Sequence, residues 1–333
     1  MIVDIYTHVF PRAAFERMTS MMARPEEVAK RLQNMRMIHD LDARFREMDE
    51  FGDYRQIISL PNPRLEALPD KQSGVDLVRY TNESLAEIVQ RHPDRFPAFV
   101  ATLPMHGVDA ALAEIDYAVG QLGARGVQLF THVGGRPLDD PAFQPVLDKI
   151  AATGFPLWLH PARGPGMADY ESETTSRFDV WTVFGWPYAT SVAMLRLVYS
   201  GIFDRHPGIK IITHHLGGMI PYHEGRLDAA FMNLGRRSGN EDYGAVKQAL
   251  KRPFVDYFRM FYGDTAMHGA VNPVRCGLEF FGPRNVVFAS DSPFSQIRKN
   301  IDVIYRLDIS EEDRRMIFCG NAERLLKMKF AGG

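Results

Sequence analysis

Eight short runs rich in apolar and β-branched residues punctuate this chain, and stretches with helical spacing separate them. The runs are Ile2–Tyr6, Gln56–Leu60, Pro97–Thr102, Gly126–Phe130, Phe155–His160, Ile209–His215, Tyr257–Tyr262 and Val286–Ser290. Val75–Arg91, Gly107–Leu122, Pro141–Thr153, Val192–Ile202 and Ile297–Leu307 carry helical character between them. A strand followed by a helix, repeated eight times, predicts an α/β fold whose parallel sheet closes into a (β/α)8 TIM barrel. An open doubly wound sheet is the rival, but it normally shows a Gly-rich phosphate loop after an early strand, and none is present. A length of 333 residues allows one large barrel or two ordinary domains. No Pro- or Ser-rich linker divides it, so one domain over 1–333 is expected.

Two segments exceed the minimal barrel. Arg12–Asp53 is a helical excursion between strands one and two, and Ala162–Tyr188, after strand five, mixes Gly, aromatic and charged residues without a clean period. Long loops after barrel strands lie on the catalytic face and commonly shape the pocket.

Composition excludes several classes. A net charge of −2 argues against a nucleic-acid binder, which usually carries a basic face. The two cysteines, Cys276 and Cys319, form no CxxC pair, so a reducing cytosol fits better than a disulfide framework. The opening MIVDIYTHVF has neither a basic n-region nor a long apolar run, and no membrane span is expected.

The chemistry is suggested by which polar residues fall at strand ends. His8 lies just past strand one, His160 ends strand five in WLHP, His215 ends strand six in THHLGG, and Asp291 follows strand eight in ASDSPF. Active sites of this barrel form at the C-terminal ends of its strands. Imidazole nitrogens and a carboxylate there make a first shell for zinc or a similar divalent ion, which would polarise a substrate oxygen or acidify bound water. Any one of eleven histidines is more often structural than functional, but the joint pattern is hard to attribute to packing. His92, His106, His206 and His223 read as structural, and His39 and His132 as open candidates for the pocket rim. His214 and His215 are adjacent, so alternation along a strand sends their side chains to opposite faces. His215, next to the LGG turn, is favoured for the mouth, and His214 is expected behind the sheet. Gly217 and Gly218 suit a tight turn there. Trp181, Phe184 and Trp186 in the loop after strand five, and Phe294 after Asp291, either cover the mouth or stack on an unsaturated substrate. Arg163 reads as an exposed loop cation more readily than as an anion contact.

Taken in order, DIYTHVFP, RFREMDEFG, PDRFPAFVATLPM, GARGVQLFTHV, PLWLHP, HLGGMIPYHEGRL, FYGDTAMHG, VVFASDSPF and CGNAERLL resemble the amidohydrolase superfamily, in its branch related to aminocarboxymuconate-semialdehyde decarboxylase. The resemblance spans nearly the whole chain. It implies a (β/α)8 barrel, usually one divalent ion, and lyase, hydratase or hydrolase chemistry on carboxylated or phenolic compounds. It implies that His8, His160 and Asp291 are metal ligands, that His215 and Asp291 serve acid–base catalysis, and that Arg44 grips a substrate carboxylate. No Lys ends strand four, which implies a mononuclear site. Tyr6 is a departure, standing where the family carries the first His of an HxH pair. A neutral phenol is a poor ligand, with an ordinary pKa near 10. Tyr6 therefore coordinates as phenolate, leaves a three-ligand site, or marks a site that has lost its metal.

The leading expectation is a metal-dependent decarboxylase of a small aromatic or unsaturated carboxylic acid, with one divalent ion, zinc before manganese or cobalt. The alternatives are a hydrolase or hydratase of a lactone or enol acid, and a metal-free binding protein of the same fold. The expected partner is a small-molecule carboxylate, with a homodimer suggested by the aromatic loop and the resemblance.

Overall fold

The computed structural model describes residues 1–22, 32, 35–62, 65, 68, 70–236 and 243–330. Eight parallel strands form the barrel: β1 (Ile2–His8), β2 (Tyr54–Ser59), β3 in two segments (Ala98–Phe99 and Ala101–Thr102), β4 (Val127–Phe130), β5 (Leu157–His160), β6 (Ile211–Thr213), β7 (Tyr262–Asp264) and β8 (Val286–Val287). Neighbours pair in sequence order from β1 to β8. Closure between β8 and β1 runs through Ile5 N donating to Phe288 O at 2.9 Å and His8 N donating to Ser292 O at 2.8 Å. Asp4 reinforces the seam, accepting from Ser290 N at 3.0 Å and from the Tyr54 hydroxyl at 2.5 Å. The fold is thus the (β/α)8 barrel expected from the alternation.

Strands buried on both faces read as continuous apolar runs, because helices cover the sheet outside and side chains fill it inside. Val3, Ile57, Val100, Trp158, Ile212 and Val287 form an inner cluster, joined by Leu325, Leu326 and Phe330 from the C-terminal segment. Gly126 leaves the space that Trp158 occupies: a Cβ there would lie 2.4 Å from the indole and 2.3 Å from Pro156 O. A larger outer cluster packs strands against helices such as Lys71–Arg91, Val108–Gly120 and Val271–Phe281.

Three strand expectations are corrected. Val100 interrupts β3. β6 stops at Thr213, and His214–Gly217 is a tight turn instead of strand. The run Tyr257–Tyr262 is not a strand: Phe254–Phe258 is helical, and β7 begins only at Tyr262. Its apolar residues Phe254, Tyr257, Phe258 and Phe261 recur at i, i+3, i+4 and i+7, a helical period, and all four are buried.

The excursion predicted over 12–53 is described in part, with helices at Arg12–Met21 and Leu41–Met48. Asp40 caps the second, accepting from Ala43 N at 2.9 Å, and so fixes the position of Arg44 one turn further on. No helix among the described residues is long and apolar enough to cross a membrane.

Candidate metal and catalytic centre

Four imidazoles and one carboxylate meet at the C-terminal mouth of the barrel: His8, His160, His214, His215 and Asp291, all buried. Each of three rings has one nitrogen committed to the protein. His8 pairs in register with Ser59 and places Nδ1 3.0 Å from its hydroxyl. That hydroxyl gives its single hydrogen to Thr7 O at 3.0 Å, so it accepts from His8 Nδ1. His160 Nδ1 donates to Pro161 O at 2.7 Å, and His214 Nδ1 to Asp264 Oδ2 at 2.6 Å. The other nitrogens are left to face the centre, and one ring nitrogen of each of His8, His160 and His214 lies within 4.8 Å of the other two. Nε2 of His8, His214 and His215 is buried without a hydrogen-bond partner. Asp291 faces them, with Oδ1 3.1 Å from His8 Nε2 and 3.5 Å from His214 Nε2, and Oδ2 3.9 Å from His215 Nε2. Buried polar atoms are rarely left unpaired, and imidazoles oriented by a carbonyl, a hydroxyl and a carboxylate are the usual surroundings of a bound cation. The donor set fits a divalent ion.

The electrostatics agree with that fit. Burial, with neighbouring positive charge, pushes His8, His160 and His215 below the ordinary imidazole value, His160 well below. Burial pulls His214 the same way, but the carboxylates of Asp264 and Asp291 on either side outweigh it and raise the pKa to about 10. Burial alone would raise Asp291, yet the imidazoles of His214, His215 and His8 around it favour the charged carboxylate and hold it well below the usual carboxylate range.

The expected placement of His214 behind the sheet is corrected. Alternation fails because the strand has already ended: His215 (φ 53°, ψ 48°) and Leu216 (φ 49°, ψ 39°) are left-handed, and the turn brings both rings to the mouth with centroids 3.7 Å apart. Asp264, at the end of β7, was missed by sequence reasoning. It accepts from His214 Nδ1, from His215 N at 3.0 Å and from Ala266 N at 3.1 Å. The available signal was the carboxylate in FYGDT, hidden by placing β7 too early.

Tyr6 lies beneath the centre, fully buried, its ring 4.5 Å from that of His214. Its hydroxyl donates to Gln128 Oε1 at 2.7 Å, and Gln128 in turn donates to Leu60 O. Burial and the charges of Asp264 and Asp291 hold the phenol well above 10, in its neutral form.

The expectation for Arg44 is also corrected. The side chain is fully buried, and its donors go to Met37 O at 3.0 Å, Gln56 Oε1 at 2.7 Å and His8 O. Burial lowers its pKa to about 10. Arg44 ties the excursion to the backbone of His8 and presents no surface to a ligand. Lysine at this position keeps at most part of that set. Hydrogen bonds from charged donors contribute about 1.5–3 kcal/mol each, so Arg44→Lys is expected to cost about 3 kcal/mol in a denaturant melt. An unchanged midpoint would contradict this assignment.

The aromatic candidates divide. Trp186 stacks parallel to His215, centroids 6.3 Å apart, and meets His160 edge-on at 5.9 Å; its indole nitrogen donates to Arg163 O. Trp181 packs against Trp186, and Phe294 lies 5.5 Å from His8. Phe184 is 69% exposed and does not line the centre. Arg163 hydrogen-bonds the backbone of Met167 and Ala168. His39 bonds to Phe10 O and His132 to Ala162 O, so neither imidazole belongs to the cluster.

Comparison with known proteins agrees with the geometry. Residues 3–328 match a family model described as Amidohydrolase. Gamma-resorcylate decarboxylase of Rhizobium radiobacter is 34% identical over 313 residues, covering 91% of this chain and 92% of the relative. The crystal structure of 5-carboxyvanillate decarboxylase from Sphingomonas paucimobilis has a TM-score of 0.85 at 26% identity, covering 98% of this chain and 99% of that one. A dihydroxybenzoic acid decarboxylase from Polaromonas sp. JS666, solved with manganese and the inhibitor 2-nitroresorcinol, gives 0.80 at 27% identity, over 99% of this chain and 98% of that one. A barrel with this mouth, matched along almost its whole length, belongs to the amidohydrolase family, and the chain is an enzyme of that superfamily.

Proposed function

We propose that this chain is a metal-dependent decarboxylase of a small aromatic carboxylic acid. The observation that carries the proposal is the cluster of buried, outwardly uncommitted imidazole nitrogens around Asp291, in a chain whose relatives are named as decarboxylases of such acids. His8, His160 and Asp291 would hold one divalent ion. A bound ion would supply positive charge that polarises substrate oxygen atoms. An imidazole-rich set suits zinc, while three structural neighbours carry manganese. Metal analysis of protein purified without chelator decides between them, and the reading requires a stoichiometry near one.

The chain's own residues do the remaining work. His215 is the least buried imidazole of the four at 8% exposure, and it lies under Trp186. It delivers a proton to the ring carbon that bears the carboxylate. The carbon–carbon bond then breaks, its electron pair restores the aromatic ring, and carbon dioxide leaves, so one proton is consumed per turnover. Trp186 and Phe294 orient the ring and exclude water. Carbon dioxide release from a panel of hydroxybenzoates, run in deuterated water, tests the reaction. One deuterium at the vacated ring carbon is expected. Hydrolysed or hydrated products with no carbon dioxide would sink the proposal.

An aromatic contact adds about 0.5–1.5 kcal/mol beyond area burial. Trp186→Ala is therefore expected to raise KM by about threefold to tenfold, with a smaller change in kcat. An unchanged KM would remove Trp186 from the pocket. We also propose a homodimer and a cytosolic setting. Exposed Phe184, Tyr188 and Tyr222 support the first, testable by light scattering, and the two free cysteines are compatible with the second.

A further inference from the structure

We infer that His214 takes the ligand position Tyr6 would otherwise fill, so that the ion is held by His8, His160, His214 and Asp291, with Asp264 as the residue that positions His214. The inference rests on the metal-dependent reading above and specifies its coordination.

Tyr6 and His8 lie two residues apart on β1, with their rings 5.2 Å apart under the mouth. Tyr6 is thus the side chain of β1 best placed to join His8 as a ligand. Its oxygen is turned away to Gln128 instead, and that bond is anchored by Gln128 donating to Leu60 O at 3.0 Å. The phenol therefore arrives at the centre as a ring without a free donor atom. His214 lies against that ring and offers what the phenol does not. Its Nε2 is fully buried, has no hydrogen-bond partner and lies 3.5 Å from Asp291 Oδ1. Together with nitrogens of His8 and His160 it closes a triangle with no side longer than 4.8 Å.

The orientation of His214 is built by its surroundings. One Asp264 oxygen accepts from its Nδ1; the other accepts from the backbone of His215 and Ala266. A carboxylate saturated by three donors holds the ring in one rotation and one tautomer, which is the arrangement found behind metal-bound histidines. The left-handed pair His215–Leu216 is what allows two consecutive side chains to reach the same centre. The adjacent histidines then divide the work. His214 is buried completely and faces the nitrogens of β1 and β5, whereas His215 faces Trp186 and the mouth.

The test is metal binding itself, measured on metal-free protein titrated with Co²⁺, with affinity from chelator competition and coordination from the visible absorption of the Co²⁺ form. Loss of an outer partner of a metal-bound histidine costs about 10–100-fold in affinity. Asp264→Asn should fall in that range, and His214→Ala should lose at least as much and change the Co²⁺ spectrum. Tyr6→Phe should keep both affinity and spectrum. His214→Gln, which retains a group able to donate to Asp264, covers the case in which the alanine variant does not fold, and the same loss is expected. Wild-type affinity and spectrum in a folded His214 variant would overturn the inference, as would loss of metal in Tyr6→Phe with His214 variants unaffected. Failure of the wild-type protein to bind any divalent ion would instead overturn the metal-dependent reading on which it stands.

Discussion

Asp291→Asn is expected to lose bound metal and nearly all turnover while keeping the barrel intact. The substitution preserves shape, and asparagine tolerates the left-handed backbone that Asp291 adopts at φ 62°. What it removes is the single carboxylate facing the Nε2 atoms of His8, His214 and His215. Outer-shell losses already cost about 10–100-fold in metal affinity, so loss of the anionic ligand itself should exceed the upper end of that range. The metal-free protein offers a second readout. The His214 pKa is raised to about 10, so its ion pairs add stability that is complete below the ordinary imidazole value and fades as pH rises through 10. Asp291 is held well below the usual carboxylate range, so its share is present above that range and lost only in strong acid. Metal-free wild type should therefore lose thermal stability progressively from about pH 6.5 to pH 10, using the unperturbed imidazole value as the lower limit. Asp291→Asn should show lower stability at pH 6.5 and a flatter decline, because one of the two carboxylates holding the His214 proton is gone. A variant that binds metal like wild type would remove Asp291 from the ligand set.

How much of this was legible in the sequence depended on whether local pattern or tertiary context decides each feature. The barrel was legible because apolar runs of strand length alternate with helical stretches, and His8, His160 and Asp291 stood out because the fold concentrates chemistry at strand ends. β7 was misplaced because the FVDYFRMF segment is apolar apart from Asp256 and Arg259, and the spacing of its aromatic residues is what distinguishes a helix from a strand. That misplacement concealed Asp264. His214 was assigned to the wrong face because alternation holds only while the chain remains extended, and the left-handed turn at His215 carries no strong local signature in a non-glycine residue. Arg44 was misread for another reason: its acceptors are chiefly backbone carbonyls, which no residue pattern encodes, so a buried arginine looks like an available cation.

His215→Asn is expected to lower kcat by about 10²–10⁴-fold, the usual cost of losing a positioned general acid or base, with metal content unchanged. The geometry separates this residue from its neighbour. His215 Nε2 is 3.9 Å from Asp291 Oδ2, beyond hydrogen-bond range, while its ring lies parallel to Trp186 at the mouth where an aromatic acid would enter. Burial and the charge of His214 keep it below the ordinary imidazole value, which makes its protonated form a stronger acid than a free imidazolium. Asparagine retains a polar group of similar size and tolerates the positive φ, so a fall in rate reports the missing titratable nitrogen and not a refolded turn. The acidic and basic limbs of the kcat profile provide the control: the limb that reports His215 should vanish in the variant while the other remains. Full activity with an unaltered pH profile would move the proton-carrying role to Asp291. Loss of metal in the same variant would instead place His215 among the ligands and leave His214 as the proton carrier.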